Sequence, residues 1–557
     1  MKNLIVTILL GGVILLPALS CNKILEKYPL NAPSDVTFLS NEQELNLAVN
    51  GVYNNLWYTT SVSGQIEYIM DAATDIGWDR NSSLITAAGQ GLLTPATSGL
   101  SAWWEHLYSG IARANFVLDN IGRVTGASQD VLDKAEGQVR FLRAYWYSQL
   151  MTLWGGVPLV VHNQEIAQSQ VPRNSVDEII DFLLKDLDVA AGQLPESWST
   201  GDRGRATRYS AMALKSRIAL MGARYDVAAA AAQYVIDAGK HSLNASYEQL
   251  FQYKGEHNKE ILFEVEYQYG TKVHVMPTAI FSRNAGGNST KVPTQSLVDS
   301  YECIDGLTID QSPYYDPKKP FENRDPRLKQ TIAVPGEIFL GYQFETHKDS
   351  TKSWNYNVTP AVRITNQDAT NPYATFTGYC WKKTADATDL TARNSSSLNF
   401  ILIRYAEVLL NYAEAKIELD QIDAPCLAAI NAVRQRPSVN MPPIAAGKIQ
   451  EAMRTIVRRE RKVELAMEGL RLQDIRRWKI AEKVMPGPLY GRPQKPYNYI
   501  NQQRPVIDND GVISYTGYAD KLSVVETRLF NAGRDYLWPI PQSEMDINKK
   551  LVQNPGY

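Results

Sequence analysis

From residue 41 to about 240, apolar residues recur at three- and four-residue steps, interrupted by one polar stretch. Leu45, Val49, Val52 and Leu56 form the first stripe, with Ser40 as N-cap and Gln43 three residues later, which predicts a helix over 41–58. A second helix starts near Ala102 and carries Trp104, Leu107, Ile111 and Ala114 on one face. A third runs to Trp154, where Gly155-Gly156 stop it and Pro158 keeps the chain extended. Ser175 to Leu194 is a fourth. Residues 209–239 and 402–436 read as helix pairs. In the first, Leu220, Gly222, Tyr225 and Ala228 match part of the tetratricopeptide pattern, with Gly222 placed to let two helices meet closely. In the second, Leu402, Ala406, Leu409, Ala413 and Ile417 share a face and Pro425 starts the partner helix. Stacked pairs build a solenoid-like scaffold. The predicted class is mainly α: a tetratricopeptide-like helical repeat scaffold with a loop-rich inserted subdomain containing short β-strands.

The clearest stripe lies in 454–478, where Ile456, Val463, Met467, Leu470 and Trp478 define one helical face. Glu460 and Asp474 fall on or beside that face, and a carboxylate near a core is costly unless paired. Arg458, Arg459, Arg461, Arg471, Arg476 and Arg477 supply partners, so the cluster reads as a buried ion-pair network rather than a catalytic one. Gly469 costs about 1 kcal/mol relative to alanine inside a helix, and points either to close approach of another backbone or to a helix break.

The period fails in three places. Residues 59–100 are rich in Gly, Ser, Thr and Asn, and read as an ordered surface loop, where binding residues concentrate. Asp75, Trp78, Asp79 and Arg80 lie there, and Trp78 between Gly77 and Asp79 either presents a stacking surface or pins the loop to the body. Residues 244–400 hold Gly, Pro, Asn and many aromatics, including Tyr267, Trp354, Tyr356, Tyr373 and Trp381, with a strand expected over Ile261–Tyr267. Trp354 and Tyr356 join the candidate ligand positions on aromatic context alone. Residues 486–530 form a second irregular stretch.

The chain has 557 residues and a formal net charge of −2, which argues against a nucleic-acid binder. Residues 1–20 read as an export signal, with Lys2, an apolar run from Leu4 to Leu16, and Ala18-Leu19-Ser20 leading into Cys21. Small residues before a cysteine resemble a bacterial lipobox, so Cys21 is the expected lipidation site and 21–40 the tether. Cys303, Cys380 and Cys426 then remain, enough for at most one disulfide. The six histidines show no helical ligand spacing, no metal or cofactor motif is present, and the nucleophile and phosphate-loop signatures are missing. An enzyme is not expected; a glycoside hydrolase would need two carboxylates at a set separation in space, which sequence cannot supply.

Several segments resemble the SusD/RagB family of nutrient-binding outer-membrane lipoproteins. They are Tyr28-Pro29-Leu30, Phe141 to Tyr145 with Leu153 to Leu159, Ile403 to Glu407 with Tyr412 to Ala415, Arg459 to Trp478, and Tyr536 to Pro541 with Gln553 to Tyr557. The resemblance implies a lipid-anchored protein at the outer membrane, facing the cell exterior, that captures a glycan and delivers it to a SusC-like TonB-dependent β-barrel transporter. A peptide ligand, as in the RagB branch, is the alternative. Asp75 to Arg80 sit where the family's N-terminal binding loop falls. The expected layout is a signal over 1–20, the tether over 21–40, helical repeats over 41–243, the variable subdomain over 244–400 and a C-terminal helical part over 401–557.

Overall fold

The computed structural model describes residues 38–60, 64–81, 83–165, 168–493 and 503–557. Cys21, the export signal and most of the tether lie outside the described residues. The long helices are α1 (Glu42–Tyr53), α2 (Leu100–Asn120), α3 (Gln129–Trp154), α4 (Val176–Gln193), α5 (Arg208–Met221), α6 (Tyr225–Asp237), α7 (Tyr405–Glu418), α8 (Ala424–Arg434) and α9 (Gln450–Glu464). Helix α1 is capped one residue later than the sequence predicts. Asn41 accepts from Glu44 N–H, while Ser40 donates to the Glu44 carboxylate. At α4, Ser175 and Glu178 form a reciprocal capping box.

Each helix from α2 to α7 packs on the next, and α7 then packs on α8 and α9. The stack therefore continues across the long gap between α6 and α7. Gly222 ends α5 where an added Cβ would lie 2.6 Å from Ile180 Cδ1 of α4, so a larger residue there would have to push that side chain aside. The chain leaves the stack through strand β2 (Ile261–Val265) and returns through β6 (Phe400–Arg404). These two pair antiparallel, Phe400 opposite Val265 and Arg404 opposite Ile261. Leu402 thus belongs to a strand and not to the helical face predicted for it, because Glu260 and Tyr68 take up backbone groups beside it: Tyr405 N–H bonds Glu260 O, and Tyr68 bonds both sides of Ile401. Between β2 and β6 lie short strands, including β3 (Lys291–Pro293), β4 (Lys352–Asn355) and β5 (Val362–Thr365). One apolar cluster runs from Leu39 to Leu551 and takes residues from both the stack and the segment inserted into it. Cys303, Cys380 and Cys426 are buried free thiols with no disulfide among them. Among the described residues no helix is long and apolar enough to cross a membrane.

The 454–478 stretch is two helices, α9 and α10 (Arg471–Arg477), joined by a break. Both meanings of Gly469 hold there. Its φ is +75°, and a Cβ would sit 2.1 Å from the Glu67 carbonyl oxygen. The carbonyls freed at the end of α9 are taken by buried cations: Lys383 Nζ donates to Glu464 O and Ala466 O, and Arg404 to Glu464 O.

The carboxylates on the stripe are fully paired. Asp474 receives Arg461 and Arg477, and Glu414 receives Arg477 and the Trp478 indole. A larger cluster links Arg327, Lys383, Arg404, Arg434, Arg436 and Arg459 with Glu260, Glu302, Asp325, Glu460, Glu464 and Glu468, six cations to six carboxylates. Its acids come from α9, the strand edges and the inserted segment, so the network joins the insertion to the stack. Removing charges from water costs several kcal/mol per ion, and only such dense pairing offsets it.

Candidate functional site

Among the described residues of the polar stretch 59–100, most are interior, which corrects the expectation of a surface loop. Its residues Gly77–Asp79 form strand β1, antiparallel to β3, with Trp78 opposite Val292 and Asp79 opposite Lys291. Asp75 is buried and takes Arg471 at 2.8 and 3.0 Å and Lys462 at 3.0 Å. Burial alone would raise its carboxyl, but Arg471 and Lys462 outweigh that and hold it well below the usual range. Asp79 is buried against Lys291 at 2.9 Å. Trp78 is 6% exposed and packs with Val292 and Leu489, its ring stacked on Phe376 at 5.4 Å. These three side chains face the interior because cations and apolar partners from distant parts of the chain cover them.

Arg80 is the member of the set that reaches the surface. Its guanidinium donates to Tyr373 O at 2.5 Å and Asn288 O at 3.1 Å. It also lies 5.5 Å from the Tyr373 ring centroid and 5.6 Å from that of Phe376. Tyr373 is 60% and Phe376 41% exposed. The result is a small shelf: two exposed rings, a guanidinium held between them, and buried Trp78 behind Phe376. Arg283 stands nearby and donates to Asn288 Oδ1. Partial burial, with Arg283 as a like charge, lowers the pKa of Arg80.

Trp354 and Tyr356 lie elsewhere, on and just after β4. Trp354 is half-buried and faces Arg363 of β5 across the strand pair, with the guanidinium 5.2 Å from its ring. Tyr356 is exposed, and the two ring centroids are 6.5 Å apart. Both rings sit on a four-stranded antiparallel sheet of the inserted segment.

Sequence reading put Tyr373 among the aromatics of a polar region but did not join it to Arg80, and it passed over Phe376. The signal available was Tyr373 and Phe376 three residues apart in a stretch of Asn, Thr and Gly. Nothing local connects them to a residue nearly three hundred positions earlier.

A stack of packed helices with a strand-containing segment inserted into it is a fold of the tetratricopeptide-like class. The sequence comparison agrees. The SusD family model matches residues 256–557, more than half of the chain, and a second model, described as starch-binding associating with outer membrane, matches 23–220. The chain belongs to the SusD family, a carbohydrate-binding class associated with the outer membrane. It is 25% identical over 578 residues to SusD-like protein P2 of Formosa agariphila, covering 98% of both chains. Among solved structures it is similar to a SusD-like carbohydrate binding protein from Bacteroides fragilis, with 29% identity, a TM-score of 0.81, and coverage of 93% of this chain and 100% of that one. A second SusD-like protein from the same species gives 26% identity and a TM-score of 0.76, covering 95% of this chain and all of that one.

Proposed function

We propose that this protein is a lipid-anchored glycan-binding protein that captures oligosaccharide outside the cell and delivers it to a SusC-like TonB-dependent transporter. The observation that carries the glycan reading is the Arg80–Tyr373–Phe376 shelf. A sugar ring offers a flat C–H face and a hydroxyl rim; exposed aromatic planes bury the first, and guanidinium and amide groups bond the second. Two of the five N–H groups of Arg80 are engaged in the bonds to Tyr373 O and Asn288 O, which leaves donors for a ligand. Trp354 with Arg363, and Tyr356 beside them, supply a second surface of the same chemistry. Similarity to a carbohydrate binding protein supports the class. Trp78 then serves the site from behind by packing on Phe376, while Asp75 and Asp79, paired with Arg471, Lys462 and Lys291, anchor the stretch that carries Arg80. Lipidation at Cys21 and the barrel partner rest on the lipobox-like segment and on family membership.

A screen of the purified chain against polysaccharides and peptides, read by calorimetric titration, tests the reading. Glycan binding that weakens on Tyr373→Ala or Phe376→Ala supports it. Peptide binding without glycan binding, or glycan affinity unchanged in both variants, overturns it.

A further inference from the structure

A second group of polar side chains lies at the neck where the inserted segment leaves the stack. Glu264 belongs to β2 and Glu266 follows it, two residues apart, so both leave the strand on one face. His257 precedes the strand with φ +58°, a left-handed backbone that is uncommon for any residue except glycine. Its Nδ1 lies 2.8 Å from Glu264 Oε1 and 3.5 Å from Glu266 Oε1. One ligand atom from each of the three residues lies within 4.8 Å of the others.

The carboxylates are not satisfied by this arrangement. Glu264 is 5% exposed, and its Oε2 has no hydrogen-bond partner; neither does the buried Oε1 of Glu266. A buried polar atom left unpaired costs about 1–3 kcal/mol, more when charged. One imidazole nitrogen faces both acids but bonds only Glu264, and Glu256 adds a further carboxylate nearby, with its own oxygen occupied by Asn399 N–H. Arg203 is the cation on this side and is exposed.

We propose that His257 Nδ1, Glu264 and Glu266 form a binding site for a divalent transition-metal cation of the Zn²⁺ type. Zinc bonds of about 2.0–2.1 Å to nitrogen and oxygen put tetrahedral ligands ~3.3 Å apart. The two histidine-to-carboxylate distances, 2.8 and 3.5 Å, bracket that value, and all three ligand atoms lie within 4.8 Å of one another, so side-chain rotation can gather them round one ion. The imidazole selects against Ca²⁺ and Mg²⁺, which take oxygen ligands. His257 and Glu264 line an open cleft of about 290 Å³ shared with Trp198, Arg203 and His241, from which water supplies the remaining position. The bound ion would neutralise the paired acids and clamp the end of β2 to the residue ahead of it. The sequence reading sought histidine pairs along a helix; this set comes from one histidine and two alternate residues of a strand.

The test uses the full chain in mild detergent, stripped with chelator and dialysed against micromolar Zn²⁺, with bound metal measured by emission spectrometry. We expect one retained equivalent and a rise in melting temperature on adding Zn²⁺. His257→Asn keeps a residue that tolerates the left-handed backbone, and Glu266→Gln changes a partly exposed group, so both should fold. Each should weaken binding at least about tenfold, while His241→Asn, in the same cleft, should not. No retained equivalent in the wild type, equal retention in His257→Asn and Glu266→Gln, or retention of Ca²⁺ in preference to Zn²⁺ would each overturn the site.

Discussion

Glu464→Gln is the sharpest test of how the insertion is held to the stack. Glu464 is wholly buried, and its oxygens accept from Arg327 at 2.9 Å, Arg404 at 2.8 Å and Arg436 at 2.9 Å. Burial alone would raise its carboxyl, but Arg436, Arg404 and Arg327 outweigh that and hold it well below 4.5. Glutamine has the same shape but turns an N–H₂ toward at least one guanidinium and leaves the cluster with one uncompensated positive charge. Each close pair is worth about 4 kcal/mol at an effective dielectric of 20, but most of that is offset by the desolvation that glutamine avoids. The measured cost of breaking buried pairs, about 3–5 kcal/mol, is the better guide. For a chain of 557 residues unfolding as one unit, the unfolding entropy is roughly 1.2 kcal/mol/K. The melting temperature should then fall by about 3–4 °C. Calorimetric melts at pH 7 read this, with exposed Glu451→Gln as the control. Adding Arg436→Met to Glu464→Gln restores neutrality and should recover part of the loss, a coupling that independent sites would not show. The folded pKa of Glu464 is depressed, so its contribution is present above about pH 4.5 and is lost as pH falls through the lower folded value. The variant should therefore approach wild-type stability in acid. A melting temperature equal to that of the control, or a loss that does not shrink as pH drops, would refute the reasoning.

Three further expectations follow from the same geometry. Trp78→Ala removes a buried ring and should cost about 3–5 kcal/mol of stability in denaturant titrations, whereas Tyr373→Ala should leave stability almost unchanged and weaken glycan binding roughly tenfold or more. Burial pushes the Asp71 carboxyl up to about 7, against the N–H of Arg471. Its folded pKa lies above the unfolded 3.8, so stability from this group is present below pH 3.8 and lost as pH rises through 7. Asp71→Asn should then stabilise the protein at pH 8, by at most on the order of 4 kcal/mol, and change little at pH 4; equal effects at both values in pH-dependent melts would sink this account. Cys21→Ala should release the protein from the membrane fraction, and wild-type-like retention on fractionation would exclude the lipid anchor.

Helices α2 to α7 were legible in the sequence because a buried helical face is a local, periodic property: one residue in three or four must be apolar wherever the stack lies. The Gly155-Gly156 stop was legible for the same reason, since it acts on neighbouring residues, and Gly222 was legible through its place in a local repeat pattern although the residue it meets, Ile180, lies on another helix. The pairing of Glu460 and Asp474 was legible as a need, because a charge on an apolar stripe requires a partner. The partners were legible only in part: Asp474 takes Arg461 and Arg477 from its own stretch, whereas Glu460 takes Arg327 and Arg434 from outside its own helix, and not the arginines beside it. The same distinction governs the candidate site. Asp75, Asp79 and their glycine-rich neighbours have the composition of a surface loop, and composition cannot report what covers them. Arg471, 396 residues further along, and Lys291, 212 residues along, make that polar stretch an interior one. Packing also decides which aromatics remain outside, because Trp78 is closed over by Val292 and Leu489 while Tyr373 and Phe376 are not. Periodicity is written residue by residue along the chain; burial of a charge or a ring depends on which distant groups the finished fold brings to it.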